Sequence, residues 1–278
     1  MVLENLWLED LIRRALQEDI GHGDITTENL IPPEHQSCGE FIAKAEGILA
    51  GIEVCRAVFA YLDKSIAFEA LKQDGDQVRK GEVIARVRGN TRCLLMGERL
   101  ALNFLQRMSG IATKTCRLAE KIKPYPAVLV DTRKTTPGLR YLEKYAVAAG
   151  GGRNHRFGLY DGVMIKDNHI KAAGGIRLAV EKIRGKIPHT IKIEVEVENL
   201  EQLKEALEAG ADIILLDNMP VDMLQEAVAM AKGKALLEAS GGVDEHNIEE
   251  IARTGVDFIS CGALTHSAPS LDISFNLL

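Results

Sequence analysis

The chain has 278 residues, 46% of them hydrophobic and 27% charged, with a net charge of −6. That length supports one or two domains with a sizeable core, and the composition is that of a soluble globular protein. A net negative chain is a poor match for nucleic acid, no apolar run reaches the ~18 residues of a membrane span, and the acidic, amphipathic start lacks the basic-then-apolar order of a signal peptide. Five scattered cysteines (Cys38, Cys55, Cys93, Cys116, Cys261) form no CxxC pair. They read as reduced thiols in a reducing, cytoplasmic compartment and argue against a disulfide framework or a zinc site.

Residues 6–18 read as an amphipathic helix, with Leu8, Leu11, Ile12, Ala15 and Leu16 on one stripe. Strands are predicted at 38–45, 67–71 and 82–88, with Asp74-Gly75-Asp76 as a turn between the last two. Residues 94–108 read as a long helix. Helices and strands without strict alternation predict an α+β domain over residues 1–108.

From Ser109 the pattern becomes regular. Strands predicted at 128–131, 163–166, 191–197, 213–217, 236–240 and 258–260 alternate with helices. One helix covers 199–209, with Asn199 as N-cap, Gln202 three residues on and Gly210 just past the end. Another begins after Asp244, with Asn247 three residues on. This rhythm predicts a parallel sheet. An eightfold barrel takes about 250 residues, so six βα units over 109–268 predict an incomplete α/β barrel, with an open doubly wound sheet as the alternative. The chain has no GxxxxGK[ST], no GxGxxG between strand and helix and no GxSxG, so a P-loop, a dinucleotide fold and a hydrolase elbow lack motif support. Gly150-Gly151-Gly152 reads first as a helix stop and turn.

Ligands of parallel α/β folds bind at the C-terminal strand ends. Here those ends carry Asp131-Thr132-Arg133-Lys134, Lys166-Asp167-Asn168-His169, Glu194 with Glu196, Asp217-Asn218, Ser240-Gly241-Gly242 and Ser260-Cys261-Gly262. In IKIEVEV, Lys192, Glu194 and Glu196 share one face, and the alternate residues share the other. In a barrel the outer face packs on helices, so the charged face points into the lumen, where it needs a partner or a metal. On an open sheet it would merely meet water. Glu196 and Asp217 suit Mg²⁺, which takes oxygen ligands and shares its waters with phosphate. They also suit ribose hydroxyls. Ser240–Gly242 and Gly262-Ala263 offer backbone N–H groups to a phosphate, or are tight βα turns. Residues 131–171 carry eight Lys or Arg against four Asp or Glu. Arg133, Lys134, Arg153, His155, Arg156 and Lys166 therefore suggest an anion site, against the plain alternative of a solvated basic face.

Eight stretches carry a resemblance. They are EDIGHGDITT (18–27), GERLALNFLQRMSGIAT (97–113), DTRKTTPGLR (131–140), EKYAVAAGGGRNHRFGLYDGVMIKDNHI (143–170), IEVEVENLEQ (193–202), ILLDNM (214–219), EASGGV (238–243) and SCGALTHSAPSLDIS (260–274). In this order they resemble the quinolinate phosphoribosyltransferase family, a group of pentosyl-class glycosyltransferases. The resemblance implies an N-terminal α/β sandwich to which the tail 269–278 returns, followed by an incomplete α/β barrel. It implies transfer of phosphoribosyl from 5-phosphoribosyl-1-pyrophosphate to quinolinate, with decarboxylation to nicotinate mononucleotide, in NAD biosynthesis. Arg133, with Thr132 beside it, and His155, Arg156 and Lys166 would bind the two carboxylates. Lys134, Glu196 and Asp217 would serve phosphoribosyl pyrophosphate and Mg²⁺. Ser240, Gly241, Gly242, Cys261, Gly262 and Ala263 would hold the 5-phosphate. Arg99 would reach a neighbouring subunit's site, making a homodimer the smallest active unit; a surface ion pair is its plain alternative.

Three other readings remain at this point. A nicotinate enzyme would need fewer cations than this cluster offers. QDGDQVRKGEVIARV (73–87) resembles the turn of biotinyl or lipoyl carrier domains, but leaves most of the chain unexplained. An unrelated phosphate-binding barrel, such as an aldolase, would make Lys166 a Schiff-base residue.

Overall fold

The computed structural model describes residues 6–278; residues 1–5, part of the start read for a signal peptide, lie outside the described residues. The chain forms two compact units, one extending to Lys114 and including Ala268–Leu278, the other Thr115–Ser267.

The first unit opens with α1 (Leu6–Ile20), which buries Leu8, Ile12 and Leu16, the i, i+4 row of the predicted stripe. Next come α2 (Ile25–Leu30), β1 (Gln36–Ala43), β2 (Gly47–Ile48), α3 (Ile52–Leu62), β3 (Ala67–Ala70), β4 (Gln77–Val78), β5 (Val83–Asn90) and α4 (Thr91–Ile122), which belongs to this unit as far as Lys114. β3, β5 and β1 pair antiparallel. β2 and β4 make a separate two-residue pair, too short to leave an alternation in the sequence.

The helix predicted at 94–108 is longer at both ends. Ser109 and Gly110, which read as a helix end, are helical because each meets a specific neighbour. The Ser109 hydroxyl accepts from Ala50 N at 3.0 Å and donates to Ala50 O at 3.2 Å. A Cβ on Gly110 would lie 2.0 Å from the Pro269 carbonyl oxygen, so glycine serves close packing there.

The second unit contains β6 (Val128–Val130), α5 (Arg140–Ala149), β7 (Val163–Ile165), α6 (Asp167–Ala173), α7 (Ile176–Arg184), β8 (Ile193–Val197), α8 (Leu200–Glu208), β9 (Ile213–Asp217), α9 (Val221–Ala231), β10 (Leu236–Ser240), α10 (Ile248–Arg253), β11 (Phe258–Ser260) and α11 (Ala263–His266). The chain then adds β12 (Ile273–Leu277), antiparallel to β1, to the first unit's sheet. There Phe41, Phe59, Phe68 and Phe275 cluster, with Phe41 and Phe59 each 4.9–6.5 Å from the other three rings between centroids.

The six parallel strands run β6-β11-β10-β9-β8-β7, so β6 and β7, consecutive in the chain, form the two edges. The order has no reversal, unlike a doubly wound sheet. His155 has its N–H held by Asp131, just beyond β6, at 2.9 Å, and its ring meets Glu194 on β8 at 3.1 Å and Glu238 on β10 at 3.6 Å. The sheet therefore curls into the expected incomplete barrel. Arg153 covers the free edge of β6, donating from N to Leu129 O at 2.9 Å.

Two local expectations change. β8 starts at Ile193, not at 191, because Ile191 N–H is turned back to Pro188 O at 3.0 Å. The helix after Asp244 begins at Ile248, because Asp244 and Asn247 first close a turn on each other: Asn247 Oδ1 accepts from Asp244 N at 2.9 Å, and Asp244 Oδ1 accepts from Asn247 N at 3.1 Å. The Asn199 cap is as expected, accepting from Gln202 N at 2.9 Å.

Candidate active site

The cationic loops are held from beneath. Asp131 and Lys144, both fully buried, form an ion pair. Burial pushes the carboxyl up and the ammonium down, and their mutual hydrogen bond opposes both shifts. Lys144 Nζ also donates to His155 O at 3.1 Å, so this pair fixes the backbone of the 153–156 segment. In the loop after β6, Thr132 Oγ1 accepts from Lys134 N at 3.0 Å and Thr265 Oγ1 donates to Lys134 O at 2.8 Å. The guanidinium of Arg140 donates to Thr135 Oγ1 at 3.0 Å and to Phe157 O at 3.2 Å, tying the two loops together.

Arg133 and Arg156 share the space above. Arg156 donates to Gly162 O at 2.9 Å, and burial, then the charge of Arg133, pushes its pKa down. Among the described residues neither guanidinium has a carboxylate partner within ion-pair distance. Two adjacent arginines without an anion of their own form a site for one.

Across the lumen, Lys166 pairs with Glu196. Its backbone N–H donates to His169 Nδ1 at 3.0 Å, which fixes the end of β7. On β9, Asp217 accepts from Asn218 Nδ2 at 2.9 Å. Asn218 has φ +53°, the one non-glycine residue with positive φ among those described. Its backbone N–H bonds Ser240 O at 2.8 Å, and Gly241 leaves it room: a Cβ there would lie 2.2 Å from Asn218 Oδ1.

These groups line one cavity of about 590 Å³ at the C-terminal strand ends. It brings together Thr132, Arg133, Lys134, His155, Arg156, Lys166, Glu196, Asp217, Ser240, Gly241 and Gly242. Cys261 is buried beside it, its thiol donating to Val243 O at 3.4 Å, which makes its side chain a packing element. Gly262 lies beneath Lys134, whose Cδ would be 3.0 Å from a Cβ there, and Ala263 opens α11. Arg99 lies in the other unit, on α4, with its side chain 61% exposed and Glu98 at 3.9 Å.

The His155 ring uses both nitrogens within the protein. Nδ1 accepts from Arg156 N at 2.7 Å, and Nε2 faces Glu194 and Glu238. A nitrogen that accepts an N–H carries no proton, so the neutral ring has its proton on Nε2 and donates it to Glu194. Burial lowers the imidazole pKa, and the two carboxylates raise it more.

A family model for the C-terminal domain of quinolinate phosphoribosyl transferase matches residues 111–276, and the corresponding N-terminal domain model matches 24–109. The chain belongs to the quinolinate phosphoribosyltransferase family. It is 48% identical over 276 residues to the probable nicotinate-nucleotide pyrophosphorylase (carboxylating) of Bacillus subtilis, covering 99% of this chain and 95% of that protein. It is 43% identical over 289 residues to quinolinate phosphoribosyltransferase (decarboxylating) 2, mitochondrial, of Nicotiana glauca, covering 97% of this chain and 82% of that protein. The structure of the nicotinate-nucleotide pyrophosphorylase from Francisella tularensis superposes with a TM-score of 0.94 at 43% identity, covering 98% of this chain and 96% of that one.

Within this quinolinate phosphoribosyltransferase fold, Asn218 and Ser260 from the named strand ends also line the cavity, as do Met164, Leu215 and Glu238, which carry no assigned role in the sequence analysis. Glu238 had a usable signal. In LLEAS it alternates with Ser240, just as Glu194 alternates with Glu196, so it belongs to the same lumen-facing row. Asn218 stood at a strand end, but its positive φ leaves no mark in composition.

Proposed function

We propose that this chain transfers a phosphoribosyl group from 5-phosphoribosyl-1-pyrophosphate to the ring nitrogen of quinolinate, with loss of carbon dioxide, giving nicotinate mononucleotide and pyrophosphate. The observation that carries this reading is the pairing of Arg133 with Arg156 inside one cavity, with Lys134 and Lys166 also on its wall. A dicarboxylate matches that concentration of positive charge better than a monocarboxylate does. Arg133, Arg156 and Lys166 bind the two carboxylates; His155, expected to join them, has both ring nitrogens engaged within the protein and instead orients Arg156.

The ring nitrogen attacks C1 of the ribose as pyrophosphate leaves, through a transition state resembling an oxocarbenium ion. Lys134 meets the negative charge that builds on the leaving group. Ser240–Gly242 and the turn through Cys261, Gly262 and Ala263 cradle the 5-phosphate, where the left-handed Gly241 and Gly242 (φ +100° and +60°) expose backbone N–H groups. Glu196 and Asp217, on adjacent strands, form an oxygen donor set that fits Mg²⁺ and ribose hydroxyls. When bound, Mg²⁺ would neutralise pyrophosphate oxygens. The protein supplies no nucleophile; it works by placement and charge.

A homodimer is the smallest active unit, with the exposed Arg99 reaching the neighbour's site. The five free thiols suit the cytoplasm, and no described helix is long and apolar enough to cross a membrane.

The test is an assay with purified protein, Mg²⁺, phosphoribosyl pyrophosphate and either quinolinate or nicotinate. Nucleotide and carbon dioxide should form in equal amounts from quinolinate alone. Arg133→Ala should raise the KM for quinolinate and cut kcat/KM by roughly 100-fold or more, a loss of ~3 kcal/mol. Turnover of nicotinate instead would overturn the dicarboxylate reading.

A further inference from the structure

Decarboxylation has a proton requirement that the residues above do not meet. When the carboxylate at ring position 2 leaves as carbon dioxide, its bonding pair stays on C2, and C2 must then take a proton. Arginine does not release one under ordinary conditions, and in the reading above Lys134 and Lys166 hold anionic groups of the two substrates as ammonium ions.

Glu238 has the right properties. It is on β10, its side chain is 5% exposed, and it lines the active-site cavity. Among the described residues its buried Oε1 has no hydrogen-bond partner. Around it stand Glu194 from β8, His155 from the 153–156 segment, Ser260 from β11, and Asp131 beyond β6, whose charge is paired with Lys144. Burial first, then the Glu194 charge, pushes its pKa up to about 7. A carboxyl group that keeps its proton near neutrality is suited to general acid work.

His155, Glu194 and Glu238 bring one donor atom each to within 4.8 Å of one another, a spacing that also suits a cation. The amide of Arg156 on Nδ1 argues otherwise. It leaves the proton on Nε2, and a protonated ring nitrogen is a donor, not a metal ligand. The cluster is a hydrogen-bonded one.

A second cavity, of about 400 Å³, lies toward the opposite strand ends, where Thr190, Lys192, Ile213 and Phe258 line it. His155, Arg156 and Glu238 line both cavities. They are the partition between the two ends of the barrel.

We propose that Glu238 delivers the proton that replaces the departed carboxylate, and that it is reloaded from the second cavity, along the barrel axis. The step balances. The C2–carboxylate bond breaks and carbon dioxide leaves. The electron pair on C2 takes the Glu238 proton, and the resulting carboxylate regains a proton from solvent entering the second cavity. The proposal rests on the quinolinate reaction above, so its test separates the two half-steps.

Single turnovers of wild type, Glu238→Gln and Glu238→Asp should be followed for pyrophosphate and carbon dioxide separately. The wild type must release both from quinolinate; if it releases neither, the reaction reading fails first. In Glu238→Gln, pyrophosphate release should stay within about threefold of wild type, while carbon dioxide release falls by about 10²–10⁴ and the dicarboxylated nucleotide accumulates. Glu238→Asp should recover part of that loss. The wild-type decarboxylation rate should fall as pH rises through about 7, and Glu238→Gln should lose that limb. Equal release of both products at the wild-type rate, or an unchanged pH profile, would overturn the assignment. Thr190→Trp, at the exposed side of the second cavity, tests the route. Slower carbon dioxide release with normal pyrophosphate release supports it, and a wild-type rate rejects reloading from that side.

Discussion

Lys144 on α5 and Asp131 beyond β6 are bonded to each other with both side chains fully buried, and the segment bearing His155 and Arg156 hangs from that pair. Removing one partner leaves a buried charge uncompensated. Lys144→Met should therefore cost about 3–5 kcal/mol in urea unfolding. The double variant Lys144→Met/Asp131→Leu should regain much of that stability. It should not regain a normal KM for quinolinate, because the His155 N–H would still lack its acceptor. If the double variant binds like wild type, the pair serves stability alone.

Glu238 should leave a mark on stability as well as on chemistry. Its folded-state pKa of about 7 lies above the ordinary 4.5, so across that window the folded chain binds a proton that the unfolded chain has released. Stability therefore falls as pH rises through it. Glutamine has no proton to lose. Glu238→Gln should match wild type near pH 4 and exceed it by on the order of 1–3 kcal/mol near pH 8. Thermal melts at the two pH values would check this, and a variant less stable at the higher pH would contradict it.

Asn218 separates strain from function. Its φ of +53° suits glycine better than alanine, and its side chain holds Asp217. Asn218→Gly should keep stability within about 1 kcal/mol, whereas Asn218→Ala should lose roughly 1–2 kcal/mol. Both should lower kcat/KM to a similar extent, by roughly tenfold, since both free the Asp217 carboxylate. Activity that follows stability instead would assign Asn218 a purely conformational role.

Much of this arrangement was legible in the sequence because it follows from period and position. The alternation in IEVEV put Glu194 and Glu196 on one face, and the barrel rule turned that face inward, where both carboxylates now meet cationic or imidazole partners. The strands Ile213–Asp217, Leu236–Ser240 and Phe258–Ser260 fell at the expected residues, since apolar runs bounded by turn residues define them. Contacts between distant residues were not legible. The helix predicted at 94–108 stops short of Gly110, whose place in it rests on close packing against Pro269. His155 reads as a free cation until Arg156 N, Glu194 and Glu238 are seen to occupy its ring. Local sequence reports propensity, and these residues answer to partners far along the chain.

The pairing of β12 with β1 also orders events during synthesis. Gly39 has no side chain because the Phe275 ring fills that space; a Cβ there would lie 2.1 Å from the ring. Until residue 275 leaves the ribosome, the first-made sheet lacks an edge strand and its aromatic cluster lacks a member. By then every strand of the parallel sheet has been translated. Of the two sheets, the one begun earlier is thus completed later, and its aromatic cluster lacks Phe275 while the barrel is made.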